Sequence, residues 1–228
     1  MKNPLKLGIP KGSLQNATIT LFQRSGWDIN VNGTSYFPEM NDETIECANC
    51  RAQEMSNYVE NGTLEAGLTG KDWIAENESD IHVVSDLVYS KVSSRPARWV
   101  LAVPYDSNIK KIEDCEGKKI ATEMTNFTRR YFKERKITVS VEFSWGATEA
   151  KVVSGLADAV VEVTETEATI KAHGLRVIHE LMQTNTQLIA NHEAWKNEAK
   201  RQKIEQIALL LKGALYGCLL YTSPSPRD

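Results

Sequence analysis

The feature that most constrains this chain is an alternation. Short apolar runs of strand length are followed, almost throughout, by segments of helical character. LKLGIP (5–10) reads as a strand and SLQNATITLFQRSG (13–26) as a helix closed by Gly26. ETIECANCRA (43–52) is a strand, QEMSNYVENG (53–62) a helix, LEAGLTG (64–70) a strand and KDWIAENES (71–79) a helix. Parallel strands need crossovers, and helices supply them, so this order predicts largely parallel sheets covered by helices.

The rhythm breaks at IHVVSDLVYSKV (81–92) and ARWVLAVP (97–104), two long strand-like runs separated by SSRP (93–96). They read as a hinge or crossover into a second βαβα series. In that series IKKIEDCEG (109–117) reads as a helix, KKIATEM (118–124) as a strand and NFTRRYFKERK (126–136) as a basic helix. TVSVEFSW (138–145), ATEAKVVSG (147–155), LADAVVEV (156–163) and EATIKAHG (167–174) continue as strand, helix, strand, helix. LRVIHELMQTNTQLIAN (175–191) reads as one long return strand. NEAKRQKIEQIALLLKGAL (197–215) is an amphipathic helix, with Ile204, Ile207, Ala208, Leu211 and Leu215 at helical spacing. The expected architecture is α/β and two-lobed, with ligands in the cleft outside the carboxyl ends of strands. Lobe I would take residues 1–93 and 181–217, and lobe II residues 94–180. The tail CLLYTSPSPRD (218–228) has two prolines and no periodicity. It is expected to be disordered, and it resembles translated sequencing-adapter read-through.

The charge balance excludes some partners. At 228 residues with a net charge of -3 there is no basic field to attract nucleic acid, and no apolar stretch long enough for a bilayer. The N-terminus lacks the apolar core of a signal peptide, so a cytoplasmic location is expected. Cys47 and Cys50 form one C-x-x-C inside a strand, without the second pair a zinc site needs. They read as incidental cysteines on the same or neighbouring faces. The four histidines pair with no acid or cysteine at metal spacing, so no protein-held metal is expected.

Five short stretches carry candidate chemistry. In GIPKGSL, Lys11 and a glycine precede a helix, which suits an anion, although taken alone the stretch fits a plain strand–turn–helix better. Arg51 closes a strand, where its planar fork suits phosphate or carboxylate, or simply solvent. Gly67, Thr69 and Gly70 lie at a strand end, either admitting a ligand to the backbone or making a tight turn. Glu149 opens a helix. Finally, VVEVTETEAT places Glu162 at the end of a buried strand, then Thr164, Glu165, Thr166, Glu167, Ala168 and Thr169 before a helix. That loop reads as an anion-binding nest, or as a helix start capped by Thr164 or Thr166 with acids at the positive end of the dipole.

Taken together and in order, GIPKGSL, CRAQEMSNYVENGTLEAGLTGKDW, KKIATEMTNFTRRYF, GATEA and GLADAVVEVTETEATIKAHGL resemble ATP phosphoribosyltransferase, over roughly residues 5 to 215. The resemblance implies a fold like the type II periplasmic binding proteins. It implies that ATP binds near Lys11, Arg51, Gly67, Thr69 and Gly70. The donor, phosphoribosyl diphosphate, would place its 5′-phosphate in loop 164–169 and its ribose near Glu162, with Glu149 and Lys11 as catalytic groups. Mg²⁺ would travel with the diphosphate, and N1 of adenine would displace that diphosphate to give phosphoribosyl-ATP, the first step of histidine biosynthesis. A homo-oligomer, dimer or hexamer in full-length forms, is also implied. The length and the character of the 164–169 and 184–207 stretches resemble a long-form catalytic core without its regulatory domain. One departure stands out: the family commonly has glycine where this chain has Glu167. A carboxylate ~5 Å from a phosphate would cost roughly 3 kcal/mol at an effective dielectric near 20, about a hundredfold in donor binding. A non-catalytic anion-binding protein or an inactive paralogue is therefore the alternative expectation.

Overall fold

A computed structural model describes residues 3–31, 36–89, 96–146 and 148–221, the last four of these by backbone only. The chain forms two units, one from Met1–Ser94 with Asn185–Asp228 and one from Arg95–Thr184. The SSRP segment expected to be a hinge lies, apart from Pro96, outside the described residues, as do 222–228 of the tail.

In the first unit the strands are β1 (Leu5–Lys11), β2 (Ile29–Asn30), β3 (Glu39–Met40), β4 (Ile45–Arg51), β5 (Ala66–Gly70) and β6 (His82–Leu87). Helices α1 (Gln15–Arg24), α2 (Ala52–Glu60) and α3 (Lys71–Asn77) alternate with them. The second unit holds β7 (Ala97–Pro104), β8 (Lys119–Thr122), α4 (Thr125–Glu134), β9 (Ser140–Phe143), α5 (Thr148–Val153), β10 (Ala159–Thr164), α6 (Ala168–Ala172) and β11 (Leu175–Thr184). The chain then returns to the first unit through β12 (Thr186–Ala190), α7 (His192–Lys196) and α8 (Glu198–Tyr221).

The first sheet has the order β4-β1-β5-β12-β6 and the second β11-β7-β10-β8-β9. In the first, β4, β1 and β5 are parallel and β12 runs antiparallel to both its neighbours. In the second, β9, β8 and β10 are parallel and β7 is the antiparallel strand. In each unit the antiparallel strand is the first one laid down after the chain enters from the other unit. β2 and β3 form a separate two-stranded ribbon.

Burial explains why these segments are strands. In the first sheet, Leu5, Leu7, Ile9, Leu68 and Leu188 face Phe22 of α1 and Ile204, Ile207 and Leu211 of α8. The opposite face packs Met55 and Val59 of α2 with Leu64 and Ile189. Strands covered on both sides read as near-continuous apolar runs. In the second unit, Val100, Ala102, Ala121 and Val160 pack on Val152 of α5 and Ile170 of α6. Helix α1 ends as its sequence dictates: Gly26 takes φ +94°, and the Trp27 N–H donates to Phe22 O at 3.0 Å. The Phe22 and Trp27 rings meet at 5.8 Å, which supplies the apolar contact of a Schellman-type stop.

Three expectations are corrected. Of residues 109–117, only Ile112–Cys115 form a helical turn, a short 3₁₀ one that buries Ile112 and Cys115. The long return strand is two strands in two different sheets. β11 pairs with β7 as far as Thr184, so the crossing falls at Thr184/Asn185 rather than at 180/181. The backbone of residues 218–221 continues α8 and is not disordered.

Candidate active site

In the second unit, an acidic cluster lies near the carboxyl end of β10. Glu162 is on β10, paired with Val100 of β7, and shares its face of the strand with Val160. Its Oε1 accepts a hydrogen bond from the Val163 N–H at 3.2 Å, and the Thr148 hydroxyl also bonds to it. Helix α5 begins at Thr148, buried at 1% exposure, and carries Glu149, buried at 8%, in its first turn. Burial, then the neighbouring charge of Glu149 and, less strongly, Glu123, push the Glu162 carboxyl up to about 7. Two acids thirteen residues apart in sequence thus act on one another, and one is half-protonated near neutrality.

Beyond Glu162 the chain turns into α6. The Glu167 N–H donates to Thr164 Oγ1 at 2.8 Å, and Glu167 takes φ +62°, the left-handed region. A side chain there costs roughly 1 kcal/mol and glycine much less, which is the physical reason glycine suits the position. Glu167 is itself the N-cap of α6, with no side-chain cap, so neither Thr164 nor Thr166 takes that role. The Thr164 hydroxyl closes the turn before the helix instead. Thr166, Ala168 and Thr169 are exposed, and Glu165 is half-buried.

The Glu167 carboxylate is engaged by cations. Oε1 lies 2.7 Å from Arg98 Nη2, and Oε2 lies 3.2 Å from Lys171 Nζ. Arg98 first, then Lys171, hold this carboxyl below its ordinary range. The other end of the Arg98 fork bonds Glu180 at 3.1 Å. Arg98 faces Thr164 in the β7–β10 register, so its long side chain starts beside the loop. The uncompensated negative charge expected from Glu167 is therefore met by two positive partners.

In the first unit, Lys11 and Arg51 are register partners at the carboxyl ends of β1 and β4, and both are exposed. Neighbouring parallel strands are about 4.8 Å apart, so two cationic side chains leave one sheet edge together. Lys11 Nζ also sits 5.0 Å from the centroid of Tyr36, whose ring is 66% exposed. Gly67, Thr69 and Gly70 are buried. A Cβ on Gly67 would meet Met55 Sδ at 2.6 Å, and one on Gly70 would strike the Asp72 carboxylate. The Thr69 hydroxyl donates to Ala52 O at 2.7 Å. Close packing of α2 and α3 on β5 is thus sufficient reason for both glycines, while Lys11 offers an exposed charge.

Cys47 and Cys50 point to opposite faces of β4, a correction that follows from their odd spacing on a strand. Cys50 Sγ contacts Met55 Sδ at 3.3 Å, and burial pushes both thiols up to about 12. Among the described residues there is no cluster of three or more metal-ligating side chains. Arg98, Thr148 and Tyr36 escaped sequence reasoning. Their roles depend on cross-strand register and on contacts between distant segments, which leave no local pattern.

A family model described as HisG: ATP phosphoribosyltransferase matches residues 51–213, more than half of the chain. The ATP phosphoribosyltransferase of Desulfosudis oleivorans is 71% identical over 217 residues, covering 95% of this chain and 75% of that protein. The chain belongs to the ATP phosphoribosyltransferase family. It is a transferase, acting at the entry to histidine biosynthesis. Among solved structures, the ATP phosphoribosyl transferase (HisG:HisZ) complex from Thermotoga maritima is 26% identical, with a TM-score of 0.79 over 93% of this chain and 99% of that one. The alkanesulfonate-binding protein SsuA from Xanthomonas axonopodis pv. citri, 14% identical over 92% of this chain and 72% of that one with a TM-score of 0.59, shares the fold. The architecture is thus the two-lobed α/β fold of type II periplasmic binding proteins, used by an ATP phosphoribosyltransferase.

Proposed function

We propose that this ATP phosphoribosyltransferase divides its two substrates between its two units. The observation that carries the reading is the turn after β10: a left-handed residue whose carboxylate is drawn to Arg98, next to a strand-end acid with a raised pKa. The 5′-phosphate of phosphoribosyl diphosphate binds the 164–169 loop, where backbone amides and the Thr164, Thr166 and Thr169 hydroxyls are the donors. Glu165, Glu167 and Ala168 shape that loop. Glu162 hydrogen-bonds the ribose hydroxyls, and Glu149 sets the charge beside it. ATP is taken by the first unit, with Lys11 and Arg51 on its phosphates and Gly67, Thr69 and Gly70 forming the backbone behind them.

The chemistry needs no covalent enzyme intermediate. The N1 lone pair of adenine forms a bond to C1 of the ribose as the C1–O bond breaks, and the electron pair leaves with diphosphate. Mg²⁺ would arrive with the diphosphate as part of the substrate and would offset part of its charge. Lys11 stabilises the developing charge, and alignment of the two substrates supplies most of the rate. The enzyme works in the cytoplasm as a homo-oligomer. Supporting the latter, the second unit exposes Phe143, Trp145, Val153 and Leu156, each above 60%. Among the described residues no helix is long and apolar enough to cross a membrane.

The test is a coupled assay with ATP, phosphoribosyl diphosphate, Mg²⁺ and pyrophosphatase, read by phosphoribosyl-ATP absorbance. Thr169→Ala should raise the KM for phosphoribosyl diphosphate, and Lys11→Ala that for ATP or lower kcat, each by roughly tenfold or more. Swapped effects would refute the division of substrates.

A further inference from the structure

We propose that Arg98 is a positioning residue for the donor reaction: it ties the Glu167 carboxylate to the sheet, away from the donor phosphate, and so keeps an acid tolerable in an anion-binding loop. The inference rests on the assignment of loop 164–169 to the donor phosphate.

The geometry separates Arg98 from the other cation on Glu167. Lys171 is four residues along on α6, the helix that Glu167 itself starts, so it belongs to the segment it would have to restrain. Arg98 is on β7, paired with Thr164 of β10 on one side and Gln183 of β11 on the other. It is thus held on both flanks by the sheet. Its planar fork divides between two carboxylates, 2.7 Å to Glu167 and 3.1 Å to Glu180, which fixes the direction of each N–H. Glu167 in turn has its backbone set by its own N–H to Thr164 Oγ1. A carboxylate whose backbone and head group are both fixed cannot swing toward a phosphate. Without Arg98 only Lys171 remains, and the acid gains the freedom to face the donor.

These are partly exposed ion pairs, with side-chain exposures of 30% for Arg98 and 22% for Glu167. They contribute little to global stability. That makes the function separable from folding. Arg98→Met, which keeps the aliphatic stem, should raise the KM for phosphoribosyl diphosphate by about tenfold, leave the KM for ATP within about twofold, and barely move Tm. In a Glu167→Gly background the same substitution should change donor KM by less than about twofold, because no acid is left to restrain. Arg98→Lys should restore only part of the loss, since it keeps the charge but not the fork.

An unchanged donor KM in Arg98→Met would overturn the proposal. So would an equal rise in the Glu167→Gly background, which would mean that Arg98 touches the donor or only supports the strand. Thr166→Ala and Thr169→Ala separate this from the parent reading. If they raise donor KM while Arg98→Met does not, the loop assignment stands and the role of Arg98 falls. If they leave donor KM unchanged, the loop assignment itself fails.

Discussion

Glu162 keeps its proton over a pH range in which an ordinary glutamate has lost it. In the unfolded chain it ionises near 4.5, and in the fold at about 7. Between those values the folded state binds the proton more tightly, so the stability from this group is present at low pH and is lost as pH rises through 7. That difference corresponds to roughly 3 kcal/mol, reduced by solvent for a side chain that is partly exposed. Glu162→Gln should therefore match the original chain near pH 5 and be more stable near pH 8, by about 1–3 kcal/mol in denaturant titrations. A chain that gains stability relative to that variant between pH 5 and 8 would contradict the raised pKa. Glu167 behaves in the opposite way. Arg98 and Lys171 lower its pKa, so its contribution holds above the ordinary carboxyl range and fades as pH falls below it. Both acids were visible in VVEVTETEAT, but their environments were not. The sequence shows that a carboxylate is present, whereas its pKa depends on Thr148, Glu149 and Arg98, which arrive from other segments.

At the scale of elements, apolar periodicity located almost every strand and helix, because burial on one or both faces is what makes a segment regular. The failures have physical causes. Residues 175–191 contain neither Gly nor Pro to punctuate them, yet the strand breaks at Asn185, where β11 leaves one sheet and β12 enters another. Periodicity reports burial and cannot say which sheet does the burying. The Gly67 turn was legible only as an ambiguity between a ligand site and close packing. Helix α2 lies so near β5 that a Cβ on Gly67 would come 2.6 Å from Met55 Sδ and 3.3 Å from Val59 Cγ2. Gly67→Ala should destabilise the fold by about 1–3 kcal/mol, and a smaller residue at Met55 should recover part of that loss in the double variant. A fully additive double variant would show that the contact does not set the spacing. On the other face, Ile207→Ala in α8 removes a side chain with no exposed surface and should cost about 2–5 kcal/mol in denaturant titrations.

For the whole molecule, the division of substrates predicts where each ligand protects the chain. Phosphoribosyl diphosphate with Mg²⁺ should slow amide exchange in residues 162–170 of the second unit. ATP should slow it around residues 9–12 and 49–52 of the first. Each ligand at 100 times its Kd should add about 2.7 kcal/mol of stability by mass action. Donor protection confined to the first unit would reverse the assignment. The amino-acid sequence by itself determined the α/β class, the order of nearly all elements and, through five motifs in one order, the enzyme family. It could do so because burial periodicity, glycine stops and strand-end polar residues are local properties. Only the tertiary structure decided what the Glu167 carboxylate meets. That answer depends on the pairing of β7 with β10, which sets Arg98 opposite Thr164, 66 residues away in the chain. Electrostatic compensation acts through space, and no local pattern in the sequence announces it.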